Sequence, residues 1–301
     1  MQFREQMEVW PSLKPYAKNV VLEHSKVRLH AIDAGPPQAP GLLLVHGLGD
    51  ESDTWRHIIP ALAVHQRVIA PDLPGFGRSE AVQNYSIPGI ITVLLDLIDT
   101  LHVSTATLLG SSLGGILCHT IAIQHPHRVR GLVLLDGHLA AKKQKLSLES
   151  LLLMLPGIGE WRYAHYQKNA QAAYESLRPF YADLDALPEA DRKFLYRRVN
   201  KRVWSHKQRT AYLSVLRNTA IWMIAQQHRL NKALENLDTP TVVIYGGQDN
   251  IMHPDNACML NEYQKNVQVM ILPGVGHLPQ QEAPDQLLSV LDQAVQLQIE
   301  L

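Results

Sequence analysis

The chain has 301 residues, 46% of them hydrophobic, and its 28 Lys and Arg balance its 28 Asp and Glu. That is enough apolar material for a sizeable core, and the zero formal charge argues against a nucleic-acid binder. With Cys118 and Cys258 as its only cysteines, the chain has no disulfide framework, and a reducing, cytoplasmic compartment is expected.

The opening MQFREQMEVW mixes charges with apolar residues and lacks the apolar centre of a secretory signal. No stretch reaches the roughly 18–20 apolar residues that span a bilayer, so no transmembrane segment is expected.

Between residues 26 and 136, short apolar runs alternate with helical patterns. GLLLVHG (41–47), RVIAPD (67–72), ATLLG (106–110) and VRGLVLLD (129–136) each predict a buried strand. They lack polar alternation, as parallel strands covered on both faces do. Val93, Leu94, Leu97, Ile98 and Leu101 carry the spacing of one helix face. Strands and helices in this order predict an α/β fold with a doubly wound, mostly parallel sheet.

The pattern stops after Asp136. Residues 137–237 contain no good strand, and Leu195, Val199 and Val203 recur four apart on a helical segment. TVVIYGG (241–247) and VQVMILPG (267–274) resume the strand pattern, and a helical stretch covers 283–301. The expected organisation is a core of 1–136 and 238–301 with a helical block, 137–237, inserted in it. Charge separates the parts: 142–232 holds 17 Lys/Arg against 7 Asp/Glu, and the rest holds 11 against 21. Either a solvated basic surface or one that meets anionic substrate or lipid headgroups would have this balance.

LLGSSLGG (108–115) carries the first chemical signal. Gly110-x-Ser112-x-Gly114 is a G-x-S-x-G pattern between a strand and a helix. Such a turn forces its central residue into a strained conformation and needs small neighbours. Ser112 takes the central place, and Ser111 fills only the variable slot. The following helix brings its N-terminal N–H groups and positive dipole end close by.

A serine hydroxyl needs a base, an orienter for that base and donors for an oxyanion. LPGVGHLPQ places His277 after the last strand, as a general base that can later protonate a leaving group. IYGGQDNIMHP places Asp249 after the preceding strand, where it can fix the imidazole tautomer. Asp136, in LLDGH, is the alternative acid. LLLVHGLGDESDTW supplies a turn after a strand, and the N–H groups of Leu48 and Leu113 are the candidate oxyanion donors.

Together these motifs resemble the α/β-hydrolase superfamily over residues 20–291, in the order Ser, Asp, His. DLPGFGRS (72–79) resembles a loop found after a core strand in many members. The resemblance implies that the inserted block is a cap over the site. It also admits Asp136 as the acid, since some members carry it after that strand. An aspartate nucleophile, as in haloalkane dehalogenases and epoxide hydrolases, is excluded by Ser112. The expected activity is a serine hydrolase that cleaves a carboxylic ester through an acyl-enzyme. The alternatives are a carbon–carbon hydrolase of meta-cleavage products, a thioesterase, a lysophospholipase, or a non-catalytic receptor of the same fold. Carbon–carbon hydrolases often have tryptophan after the histidine; here Leu278 stands there.

Gly47, Gly49, Trp55, Ser111, His138 and Leu278 are candidate pocket residues. His46 is expected to shape the oxyanion turn, and Asp50 and Asp53 to face solvent or cap a helix. LLLMLPGIGEW (151–161) reads as cap core or, where it faces the site, as an apolar acyl or alcohol pocket. Neither metal-ligand spacing nor a phosphate-binding glycine loop is present, so no cofactor is expected. The expected partner is a small ester with an apolar group, with anionic lipid contact through the basic cap as a secondary possibility.

Overall fold

A computed structural model describes residue 3 and residues 7–142 and 148–296. Eight strands among them form one sheet: β1 (Ala17–Val21), β2 (Arg28–Ala34), β3 (Gly41–Val45), β4 (Arg67–Pro71), β5 (Ala106–Ser111), β6 (Val129–Leu135), β7 (Thr241–Gly246) and β8 (Val267–Leu272). Their order is β1-β2-β4-β3-β5-β6-β7-β8. β2 pairs antiparallel with β1 and β4, and the other pairings are parallel.

The strands lack alternation because both faces are covered. Leu42 and Leu44 join Trp55, Val68 and Leu287 on one side, and Leu43 and Val45 join Leu97, Leu108 and Leu117 on the other. Each such leucine, fully buried, contributes about 1.5–3 kcal/mol.

The helices in chain order are α1 (Ile59–Leu62), α2 (Ile87–Thr100), α3 (Leu113–Gln124), α4 (Leu148–Met154), α5 (Ile158–His165), α6 (Ala170–Glu175), α7 (Glu189–Trp204), α8 (His206–Leu234), α9 (Asn256–Met259), α10 (Pro279–Glu282) and α11 (Pro284–Gln296). The expected stripe lies on α2, where Val93, Leu94, Leu97 and Ile98 are buried. Ser86 caps this helix, accepting the Gly89 N–H at 3.2 Å. His102, at φ +56°, turns the chain out of it. The C-terminal helix was expected over 283–301; α11 accounts for most of it, and 297–301 lie outside the described residues.

Helices α4 to α8 all lie between β6 and β7. Leu195, Val199 and Val203 bury one face of α7 in a cluster with Tyr163, Leu177 and Leu184, which Leu278 joins from across the insertion. Ala211, Val215, Leu230 and Leu234 of α8 pack into the main core cluster, and polar contacts complete the attachment. Arg198 on α7 meets Asp50 at 2.6 Å, and Arg56 meets Asp191 at 2.5 Å. Lys207 on α8 donates to the carbonyls of Gly77 and Ser79 at 3.0 and 2.5 Å.

These contacts correct the expectation for Asp50 and Asp53. Both are buried, at 6% and 0% exposure, because cations far away in sequence reach them. Asp50 takes Arg198, and Asp53 takes Arg78 and the Trp10 N–H. The 151–161 run also departs from a purely core reading, since Leu151, Leu155, Ile158 and Trp161 are exposed. The Pro156–Gly157 turn splits it into two short helices, too brief to bury every apolar side. Among the described residues, no helix is long and apolar enough to cross a membrane.

Two buried histidines couple stability to pH. His119 on α3 donates from Nε2 to Gln264 at 2.9 Å, and His138 from Nε2 to the Asn256 carbonyl at 2.8 Å. Burial lowers them to about 3 and about 4. An unfolded imidazole binds its proton near pH 6.5, so between there and about 4 the unfolded chain holds more protons. Stability should therefore fall as pH drops through that window. Urea midpoints should show a shallower fall for His119→Gln, whose amide can still donate to Gln264; equal slopes would remove His119 as a source. Arg198→Met should cost about 3–5 kcal/mol by stranding the Asp50 charge, and Arg198→Met with Asp50→Leu should recover most of that. Denaturant titration of the three variants separates the effects.

Candidate active site

Parallel pairing from β5 to β8 aligns four strand ends at one edge of the sheet. Ser112 follows β5, Asp136 follows β6, Asp249 follows β7 and His277 follows β8. Residues far apart in sequence are thereby delivered to one place.

Ser112 stands at φ +53° and ψ −114°, a backbone state that costs a non-glycine residue about 1–3 kcal/mol. Its own N–H donates to the Leu135 carbonyl at 2.8 Å, which holds the turn against β6. The neighbouring glycines are required by backbone approach. A Cβ on Gly114 would lie 1.9 Å from the Val45 carbonyl oxygen, and one on Gly110 would lie 2.3 Å from the Gly114 oxygen. Ser112 is half-buried and begins α3, whose N-terminal end can favour negative charge.

The loop after β3 stands beside the serine. A Cβ on Gly47 would fall 3.3 Å from Ser112 Cβ. His46 anchors this loop. Its Nε2 accepts the Leu73 N–H at 2.9 Å, so the proton is on Nδ1, which donates to the Gly47 carbonyl at 2.8 Å. Burial lowers its pKa and keeps it neutral. Leu48 and Leu113 follow Gly47 and Ser112 in these two turns.

His277 Nδ1 meets Asp249 Oδ2 at 2.7 Å, with both side chains nearly inaccessible to solvent. Asp249 Oδ1 accepts the N–H groups of Ile251 and Met252 at 2.6 and 2.9 Å. With Nδ1–H given to the carboxylate, Nε2 keeps a lone pair, as a proton acceptor needs. The His277 N–H donates to the Phe180 carbonyl at 2.9 Å, and the two rings lie 5.8 Å apart, so the insertion holds this loop directly.

Asp136 is in the same cluster but bonds differently. Its Oδ1 accepts the Gly246 N–H at 2.8 Å, and its buried Oδ2 has no donor. Burial and the Asp249 carboxylate raise it well above the ordinary carboxylate range. Of the two acids, Asp249 is the one that holds the imidazole, and Asp136 is the one whose surroundings favour the protonated form. Asp136, Asp249 and His277 are also the group among the described residues whose donor atoms, within 4.8 Å of one another, could converge on a cation. The Asp249–His277 bond already uses two of those atoms on each other.

The other expected pocket residues scatter. Ser111 is fully buried and accepts from Gln280 at 3.3 Å. Trp55 lies in the core beneath the sheet. Gly49 abuts Tyr212, His138 packs against Tyr245, and Leu278 faces the insertion.

Sequence reasoning missed the polar layer under these turns. Gln281 donates to Asp50 and Thr54 at 3.2 and 2.7 Å and accepts from Tyr181 at 2.9 Å. Gln280 donates to Thr54 at 3.1 Å. Glu282 takes the Gly276 and Ala182 N–H groups at 2.6 and 2.8 Å, stapling the His277 loop to the insertion. The sequence signal was the polar PQQE that follows Leu278.

Comparison with known proteins agrees with this fold. The profile of the alpha/beta hydrolase fold matches residues 40–284. The dihydrolipoyllysine-residue acetyltransferase component of the acetoin cleaving system of Pseudomonas putida is 30% identical over 82% of the chain, which spans 60% of that relative's length. The 2-hydroxymuconate semialdehyde hydrolase of Pseudomonas sp. (strain CF600) is 27% identical over 88% of both chains. The pimeloyl-[acyl-carrier protein] methyl ester esterase of Aeromonas hydrophila subsp. hydrophila is 25% identical over 86% of this chain and 96% of its own. On its strand order, its strained serine turn and this match, the chain belongs to the α/β-hydrolase fold family.

Proposed function

We propose that this chain is a serine hydrolase that cleaves a carboxylic ester, with 137–237 as the cap over its site. The observation that carries the reading is the buried 2.7 Å bond from His277 Nδ1 to Asp249, at the same sheet edge as the strained Ser112. Ser112 Oγ attacks the ester carbonyl carbon while His277 Nε2 takes its proton. The N–H groups of Leu48 and Leu113 receive the oxyanion. The tetrahedral intermediate then expels the alcohol, which takes the proton from His277. Water, deprotonated by the same imidazole, cleaves the acyl-enzyme and releases the acid. Asp249 stays ionised and stabilises the imidazolium.

A carbon–carbon hydrolase is the second reading, favoured by the likeness to the semialdehyde hydrolase over 88% of both chains. The esterase relative, matched over 96% of its own length, supports the ester reading. A substrate panel of p-nitrophenyl esters, acyl thioesters, lysophospholipids and a 2-hydroxy-6-oxo-dienoate decides between them. Turnover confined to the dienoate would replace the ester reading.

A fluorophosphonate should add one adduct to the wild type and none to Ser112→Ala or His277→Ala, as read by intact mass. Ser112→Ala should lose at least about a thousandfold in kcat with its melting temperature preserved. Folded wild type that takes no adduct and turns over nothing would turn the reading to a ligand receptor. A histidine base also requires activity to decline on acidification. A flat profile from about pH 5 to 8, with chemistry rate-limiting, would argue against a histidine base.

The two carboxyls should respond in opposite ways. Asp249→Asn cannot accept Nδ1–H as a carboxylate does and should lose about three to four orders of magnitude in kcat. Asp136→Asn keeps a donor where Asp136 holds its proton and should stay within about threefold of wild type. The reverse pattern would make Asp136 the acid.

A further inference from the structure

The 151–161 run is not absorbed by the catalytic reading. Leu155, Ile158 and Trp161 are 47%, 42% and 66% exposed, and on α8 Ile221 and Ile224 are 67% and 82% exposed. These positions belong to one face. Arg217 of α8 meets Glu160 of α5 at 2.7 Å and donates to the Met154 carbonyl at 3.0 Å, so the α4–α5 turn lies against α8. Ile221 sits one helical turn beyond Arg217.

The two outward stripes have the same design. On α5 and the turn after it, Ile158 and Trp161 are followed by His165 and Lys168, at helical spacing. On α8, Ile221 and Ile224 are followed by His228 and Lys232, with Arg229 beside them. All of these residues are exposed, and neither stripe contains an acid. Each begins apolar, with a tryptophan on one, and ends basic. Exposed apolar side chains, a tryptophan among them, beside Lys and Arg suit contact with a lipid headgroup layer.

Charge selects the occupant. Residues 142–232 carry 17 Lys/Arg against 7 Asp/Glu, and the rest of the chain 11 against 21. Lys168, Arg229 and Lys232 bring part of that excess to this face, so an anionic bilayer attracts it and repels the acidic remainder, which orients the molecule. A second copy of the chain would bring the same basic ends against one another.

We propose that the outer face of α4, α5 and α8 seats on an anionic phospholipid surface. The Ile158/Trp161 and Ile221/Ile224 pairs enter the headgroup layer, and the basic ends of both stripes meet lipid phosphates. This proposal does not rest on the ester hydrolase reading, because it involves neither Ser112 nor its partners.

The test is co-sedimentation of the full chain with vesicles of phosphatidylcholine alone or with about one-third phosphatidylglycerol. Binding should be at least about tenfold tighter to the anionic vesicles and weaken between about 0.1 and 0.5 M salt. Trp161→Ser with Ile224→Ser should lose about tenfold in affinity, and so should Arg229→Glu with Lys232→Glu. All four positions are exposed, so both variants should melt as the wild type does. Absence of vesicle binding, or binding that both variants retain, overturns the proposal. A dimer in sedimentation velocity that Trp161→Ser/Ile224→Ser dissolves would assign the face to a second copy and overturn it as well.

Discussion

The site depends on how closely bare backbone can approach backbone. Gly114 brings the first turn of α3 against the Val45 carbonyl, where any Cβ would fall 1.9 Å from the oxygen. Gly137 does the same beneath the elbow, with a Cβ position 2.4 Å from the Ser112 carbonyl oxygen. These contacts leave the chain one route between β5 and α3, and that route puts Ser112 at positive φ. The local strain is held by core packing on both faces of the sheet, where about 1–3 kcal/mol is small against the burial of the core leucines.

Around that point, the insertion joins the core through apolar packing of Ala211, Val215, Leu230 and Leu234 and through a buried polar layer. Asp50, Thr54, Gln281 and Arg198 link the loop after β3, helix α10 and helix α7 in one buried layer. Such a layer is costly to desolvate, and replacing it with hydrocarbon would often be no less stable. What it provides is direction. Hydrogen bonds accept one geometry, so the oxyanion turn, the His277 loop and the insertion are held in a single mutual arrangement. His46 performs a smaller version of the same task, with its tautomer fixed by Leu73 and its proton given to Gly47.

Much of this was legible in the sequence. Six mostly apolar runs became β3 to β8; β3 to β7 are buried on both faces, while β8, at the sheet edge, is only partly covered. The serine turn, Asp249 and His277 were readable because each needs particular residue types at a strand end. β1 and β2 were not anticipated. β1 reads AKNVV and has no fully buried residue, so composition does not mark it as a strand. The burial of Asp50 and Asp53 was also hidden. Their charges are compensated by Arg198 and Arg78, and no local rule connects residues so far apart. Likewise nothing within 151–161 told a core run from an exposed one, since that depends on the position of α8.

The second carboxyl at the site has a thermodynamic consequence. Burial and the Asp249 carboxylate push Asp136 well above the ordinary carboxylate range, and burial lifts Glu51 to about 7. The formal charge of zero counts both as anions. Both shifts make the native molecule hold protons more tightly at these two carboxyls than the unfolded chain does. Protons held there are released to the buffer on unfolding. The heat of unfolding then includes the buffer's own enthalpy of ionisation, and differs between phosphate and an amine buffer at the same pH.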